Sequence, residues 1–176
     1  MKKKFFSILM LSMAVVIMGL SFVSCGDDND EPTPDPTPVL PAKIAIGYSL
    51  DLGDGWWDFF EIEATYTTAA GTTETKTIHK GWAYVGEVDY KDAVTEYTFT
   101  ATATPKANLP EIDENAKYNF DKAAKAYAFS LNDKDEQTGI LSSKNNSTTM
   151  SIAGSNMAKW LEVHSNLGAG TMTIKK

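Results

Sequence analysis

The chain has 176 residues, with 23 acidic against 16 basic side chains and a formal charge of −7; it contains no arginine and a single cysteine. Nucleic acid is bound through clustered cations, so this composition argues strongly against it, and the missing arginine also removes the bidentate group used for carboxylates and phosphates. One cysteine also excludes an internal disulfide framework.

Lys2, Lys3 and Lys4 precede an almost wholly apolar run, Phe5 to Val23, broken only by Ser7, Ser12, Gly19 and Ser21. That is the charge and length pattern of a secretory signal. A run of this length also approaches a bilayer span, but small residues and a cysteine at its end suit processing better than a stop-transfer. Cys25 follows Val23-Ser24 and leads into an acidic cluster, Asp27, Asp28, Asp30 and Glu31. The arrangement resembles the N-terminus of a bacterial lipoprotein, with Phe22 where the cleavage box usually carries leucine. The resemblance implies cleavage before Cys25 and acylation of Cys25 by more than one chain, which is what stable membrane attachment requires. The acidic cluster resembles the export signal of Bacteroidota-type lipoproteins, which implies a lipid-anchored protein of the outer membrane exposed at the cell surface.

Loss of residues 1–24 leaves 152 residues and, with three lysines gone, takes the formal charge from −7 to −10. Pro32, Pro34, Pro36, Pro38 and Pro41 make a semi-rigid, polyproline-like spacer. Residues 25–41 therefore read as a lipidated acidic tether and 42–176 as the folded domain.

Ile44, Ile46, Tyr48 and Leu50 alternate with small residues, the period of a half-buried strand, and Asp51 to Gly55 reads as a loop. Phe60, Ile62, Ala64 and Tyr66 share one face, with Glu61, Glu63, Thr65 and Thr67 on the other. Gly71 supplies a turn, and the threonine-rich run Thr73 to Lys80 returns as a hairpin strand near a sheet edge. Trp82, Tyr84, Val88 and Tyr90 alternate, with Gly86 as a bulge. Tyr97, Phe99, Ala101 and Ala103 alternate with threonines until Pro105. Between Lys117 and Leu131, Tyr118 and Phe120 hold one register and Tyr127, Phe129 and Leu131 the other, which places a break near Lys122-Ala123. Asn132 to Asp135 and Ser142 to Ser147 read as polar turns, and Met150 and Ile152 as a short strand. Ser155 to His164 carries Met157, Trp160, Leu161 and His164 on one helical face, with a strand as the alternative. Thr171 to Lys175 closes the chain as a strand with Met172 and Ile174 inward.

About seven or eight short strands, one short helix near the C-terminus and no βαβ rhythm predict an all-β, antiparallel β-sandwich, with a closed barrel as the alternative. The hairpin from Glu61 to Thr67 with its Gly71 turn is similar to strands of immunoglobulin-like domains in small Bacteroidota lipoproteins. Those proteins are largely of unknown function, so the likeness implies a fold and no catalytic residues.

Candidate chemistry is sparse. His79 and His164 have no metal-ligand spacing, and no hydrolase, zinc-protease or phosphate-loop pattern occurs. Glu61 and Glu63 share a strand face as a glycosidase pair would, but the threonines at 65 and 67 continue a wet sheet face. Asp51, Asp54 and Asp58, and likewise Asp133, Asp135 and Glu136, offer oxygen ligands without calcium-loop spacing; turn formation explains both, and no metal or other cofactor is expected. Asn145-Asn146-Ser147-Thr148 holds overlapping N-x-S/T patterns that read as a loop. The most unusual cluster is Trp56, Trp57, Phe59 and Phe60. Phe60 belongs to the core register, which leaves Phe59 and one tryptophan to face outward, rimmed by Asp54 and Asp58, as a surface for a sugar ring. The competing role for the tryptophans is to close an open end of the sandwich. The expectation is thus a non-enzymatic surface module that binds a glycan or an envelope protein; its rival is a structural or adhesive subunit pairing through the edge strand Thr73 to Lys80.

Overall fold

A computed structural model of the chain describes residues 40–162 and 166–176. Cys25, Asp27, Asp28, Asp30, Glu31, the signal and tether before residue 40, and His164 lie outside the described residues. In chain order the elements are β1 (Lys43–Leu52), α1 (Asp54–Phe59), β2 (Phe60–Thr67), β3 (Thr73–Ile78), β4 (Trp82–Asp89) and β5 (Glu96–Pro105). They continue with β6 (Lys117–Asn119), β7 (Lys122–Leu131), β8 (Gln137–Thr148), β9 (Ser151–Ala153), a 3-10 turn (Gly154–Asn156), α2 (Met157–Trp160) and β10 (Gly170–Thr173).

Two four-stranded sheets, ordered β4-β1-β7-β8 and β10-β5-β2-β3, form an antiparallel β-sandwich, and a ribbon of β6 and β9 stands beside them. The alternation read from the sequence explains the two layers. Ile44, Ile46, Tyr48 and Leu50 point inward from β1, and Phe60, Ile62, Ala64 and Tyr66 from β2, and all are essentially fully buried. Across the gap Tyr48 packs on Phe99 at 5.3 Å and on Tyr66 at 5.9 Å between ring centroids. Each buried phenol finds an acceptor at the rim. Tyr48 donates to the Thr67 carbonyl (2.8 Å) and Tyr97 to the Ala69 carbonyl (3.1 Å), which satisfies the polar tip of an otherwise apolar ring. Gly71, at φ +85°, makes the β2–β3 turn that a side chain would strain.

The structure departs from the sequence expectations at five places. The Asp51–Gly55 loop is the end of β1 followed by the start of α1. Gly86 is no bulge, because β4 runs in unbroken register against β1 from Trp82↔Leu50 to Asp89↔Lys43. The break before β7 falls at Phe120-Asp121 rather than at Lys122-Ala123, where the chain leaves the ribbon for the first sheet. The polar run Ser142–Ser147, with Asn145 and Asn146, is not a turn but the second half of the twelve-residue β8. The helix near the C-terminus is shorter than its apolar pattern: a 3-10 turn leads into Met157–Trp160, and Ser155 makes no capping hydrogen bond. Turn-formers such as serine and asparagine extend here because β7 offers a complete ladder to pair with, a tertiary gain larger than their local preference.

Burial raises the pKa of the Tyr48 and Tyr97 phenols above the ordinary value. Unfolded tyrosines ionise near about pH 10, so above that pH the unfolded chain releases protons that the folded one retains, and stability declines. Melting temperature is expected to be level from neutral pH to about pH 9 and to fall beyond about pH 10. Tyr48→Phe is expected to cost about 1 kcal/mol at pH 7, through the lost bond to Thr67, and to show a shallower alkaline fall. An unchanged slope in thermal melts across that range would show that Tyr48 is not responsible.

Candidate functional site

The tryptophan cluster does not form the outward platform expected of it. Gly53 ends β1 in extended conformation, and the six residues that follow wind into α1. Helical geometry puts positions i and i+3 on one side, so Trp56 and Phe59 turn inward beside Phe60, the first inward residue of β2, and all three are 1–2% exposed. Trp56 donates its indole N–H to the Phe120 carbonyl (2.8 Å), meets the Phe120 ring edge-on at 5.3 Å, and lies 5.9 Å from Trp160 of α2. Phe59 meets Tyr118 edge-on at 5.2 Å. Gly55 permits this seat, because a side chain there would run into the Asn119 carbonyl. The aromatics therefore close one end of the sandwich against the β6–β9 ribbon.

Trp57 is half-buried, with its indole N–H on the Leu52 carbonyl (3.0 Å) and its own carbonyl bonded by Lys106 (2.7 Å). Asp54 pairs with Lys80 at 2.5 Å, both largely exposed, and Asp58 is exposed. Of the five residues proposed to hold a ligand, Trp56 and Phe59 are core, and Trp57, Asp54 and Asp58 are left without an outward aromatic face to rim.

The other candidates stay apart. Among the described residues no three His, Cys, Asp or Glu side chains gather as metal ligands. Asp135 pairs with Lys43 (2.7 Å) and stands at φ 61°, in a turn held by Asn132, whose side-chain oxygen accepts from the Lys134 and Glu136 amides. Glu61 and Glu63 lie on the outer face of the second sheet beside Thr104, Thr102 and Thr77, and His79 is exposed. In a polar cleft between Asp51, Asn119, Asp121 and Thr148, Asp121 takes the Met150 amide (2.6 Å) and Asn119 the Asp121 amide (2.7 Å). Lys122 there has its pKa lowered by burial.

A pair of outward-facing, half-buried aromatic rings lies elsewhere, on the outer face of the first sheet. β7 turns Ala124, Ala126 and Ala128 inward, and Tyr127 and Phe129 outward, with ring centroids 4.8 Å apart. Tyr127 covers Gly47 of β1; a Cβ on that glycine would collide with the phenol, 2.1 Å from Cζ. One cross-strand row runs Val85, Gly47, Tyr127, Ser143, and the next Glu87, Ala45, Phe129, Ile140, with Ser49, Lys125 and Asn145 flanking on the far side. Val85 and Ile140 are 46% and 65% exposed. The result is a flat apolar centre two strands wide with hydroxyl, amide and ammonium groups along one border.

Sequence reasoning put Tyr127 and Phe129 in one register but on neither face, because both registers of β7 are apolar. The signal that separates them is size. Ala124, Ala126 and Ala128 sit beside Leu50, Tyr48 and Ile46, where the large side chains of the opposing sheet leave only methyl-sized gaps. No protein-family model, curated protein or solved structure matches the chain.

Trp56→Ala is expected to lose about 3–5 kcal/mol, the cost of a large buried ring, whereas Trp57→Ala should cost only about 1–2 kcal/mol. Denaturant titration of the two variants checks the difference. Equal small losses would mean that Trp56 does not close the sandwich.

Proposed function

We propose that the protein is a non-enzymatic binding module, held at the cell surface of an outer membrane by a lipid on Cys25, that takes a glycan on the outer face of its first sheet. Tyr127 spread over Gly47 carries this reading. A half-buried outward ring seated over a glycine is held in place while part of its surface stays open, and the C–H face of a pyranose is the weakly apolar surface that stacks on such a ring. Phe129 extends the stacking surface, and Ser49, Lys125, Ser143 and Asn145 stand at the border where sugar hydroxyls need donors and acceptors. A protein partner of ordinary size needs roughly 20–30 residues a side, and the apolar centre here is a few side chains. The Pro-rich tether before Ala42 would hold such a face clear of the membrane.

The rival reading, pairing through β3, meets a guard in the strand itself. β3 does stand at the edge of its sheet. Glu74 and Lys76, opposite the inward residues Tyr66 and Ala64, are charges on the core-facing side of the strand, a device that discourages edge-to-edge pairing. They are joined to each other at 2.9 Å and to the Tyr66 hydroxyl through Glu74.

Affinity electrophoresis of the full chain through a panel of neutral and acidic polysaccharides tests the proposal. Retardation by one of them is expected, weakened about tenfold or more by Tyr127→Ala, Phe129→Ala or Gly47→Ala, and unchanged by Trp57→Ala. No retardation across the panel, or an equal loss in Trp57→Ala, would remove the glycan site from this face.

A further inference from the structure

Each sheet of the sandwich ends in two edge strands, and three of the four edges carry a feature that hinders pairing. β10 is four residues long. β3 carries the inward Glu74 and Lys76. β8 shifts register against β7 near its start, between Ala128 and Phe129 and again between Ser130 and Leu131, and in the evenly paired run beyond, Ser142 to Thr148, it carries Lys144 opposite the inward Ala126. β4 has none of these. It is eight residues long, in continuous register with β1, free of proline and lysine, and exposes Val85 at its centre. Among the described residues no strand pairs with its other side. A long, flat, apolar edge of this kind is a template for another strand, and proteins that leave one open either use it or aggregate.

We propose that β4 is the seat of a two-fold dimer, in which the β4 strands of two copies of this chain pair antiparallel about Val85. The strand is self-complementary under that operation. Val85 meets Val85, Ala83 of one copy meets Glu87 of the other, Trp82 meets Val88, and Asp89 meets Gly81, so no like charges stand opposite each other. Tyr84 of one copy meets Gly86 of the other on the inward side, where each Gly86 is already covered by the Tyr84 and Ala69 of its own chain, so the pairing brings no side-chain clash there. The contact is isologous and closes, so it ends at two copies rather than growing into a fibre. The second copy, rather than an unrelated strand, is favoured because these eight residues supply both halves of the match.

The pairing also joins features already described. Val85 begins the row that continues through Gly47 to Tyr127. In the dimer the two first sheets become one of eight strands, with both Tyr127–Phe129 pairs on the same outer face. A polymeric ligand spanning them would gain from the raised effective concentration of the second contact.

Disulfide trapping in the full chain, in its own membrane and with an added oxidant, reads the register directly. The unsubstituted chain, whose single cysteine is Cys25, sets the background. Cα atoms directly opposite on antiparallel strands are about 4.5–5.5 Å apart, within the reach of a disulfide. Val85→Cys is therefore expected to give a covalent dimer on a non-reducing gel. Ala83→Cys and Glu87→Cys alone should stay at background, because each is displaced from its own copy by four residues, about 13 Å along the strand. The double variant Ala83→Cys/Glu87→Cys should restore the dimer. Val85→Lys, at a position already exposed, should convert the detergent-extracted protein from dimer to monomer in sedimentation. Val85→Cys trapping no better than Ala83→Cys, trapping only a different protein, or a sedimentation profile unaltered by Val85→Lys would each overturn the dimer.

Discussion

The contact on which the rest of the structure depends is the meeting of large aromatic rings across the middle of the sandwich. Tyr48, Tyr66, Phe99 and Tyr84 lie within 4.8–5.9 Å of one another in successive pairs and fill the space between the sheets. An interior is close-packed, so rings of this size leave little room beside them. β7, which runs next to Tyr48, can contribute only alanine to the core. Because successive residues of a strand face opposite ways, alanines inward place Tyr127 and Phe129 outward. The outward, half-buried aromatic pair is thus a consequence of how the core is filled.

The same economy of space governs where the chain uses glycine. Gly47 is the seat of a ring lying on the outside of the sheet, and Gly55 lets a short helix approach the backbone at Asn119. The first turns a pleated surface into a flat one. The second allows Trp56 and Phe59 to close an end of the sandwich against Phe120 and Tyr118. The aromatic cluster conspicuous in the sequence is accordingly spent on the core, while two less conspicuous rings remain at the surface.

Anchor, tether, platform and open edge fit together as one device under the proposals made above. A lipid and an extended proline-rich spacer would confine the domain near a surface, where even weak pairing through β4 gains from high local concentration. Pairing through that edge leaves the outer faces unobstructed and side by side. The inward charges on β3, and the register shifts and Lys144 of β8, would direct the contact to the remaining long edge.

Much of the fold was legible in the amino-acid order alone. The period-2 patterns from Ile44 to Leu50, Phe60 to Thr67 and Tyr97 to Ala103 established strands and their buried faces, because one side of each is polar and only one choice buries the apolar side. The turn at Gly71 and the edge position of β3 followed from the same residues. Tertiary structure decided the cases in which local pattern was silent or divided. β7 is apolar on both faces, so only the volume left by the opposing sheet settled which face went in. The polar run from Ser142 to Ser147 became strand because the edge of β7 not taken by β1 stood beside it. Trp56 and Phe59 went inward because six residues after β1 wound into a helix, which replaced a period of 2 with one of 3.6. Spacing along a chain fixes which side chains share a face, but which face is buried depends on what the rest of the chain puts opposite it.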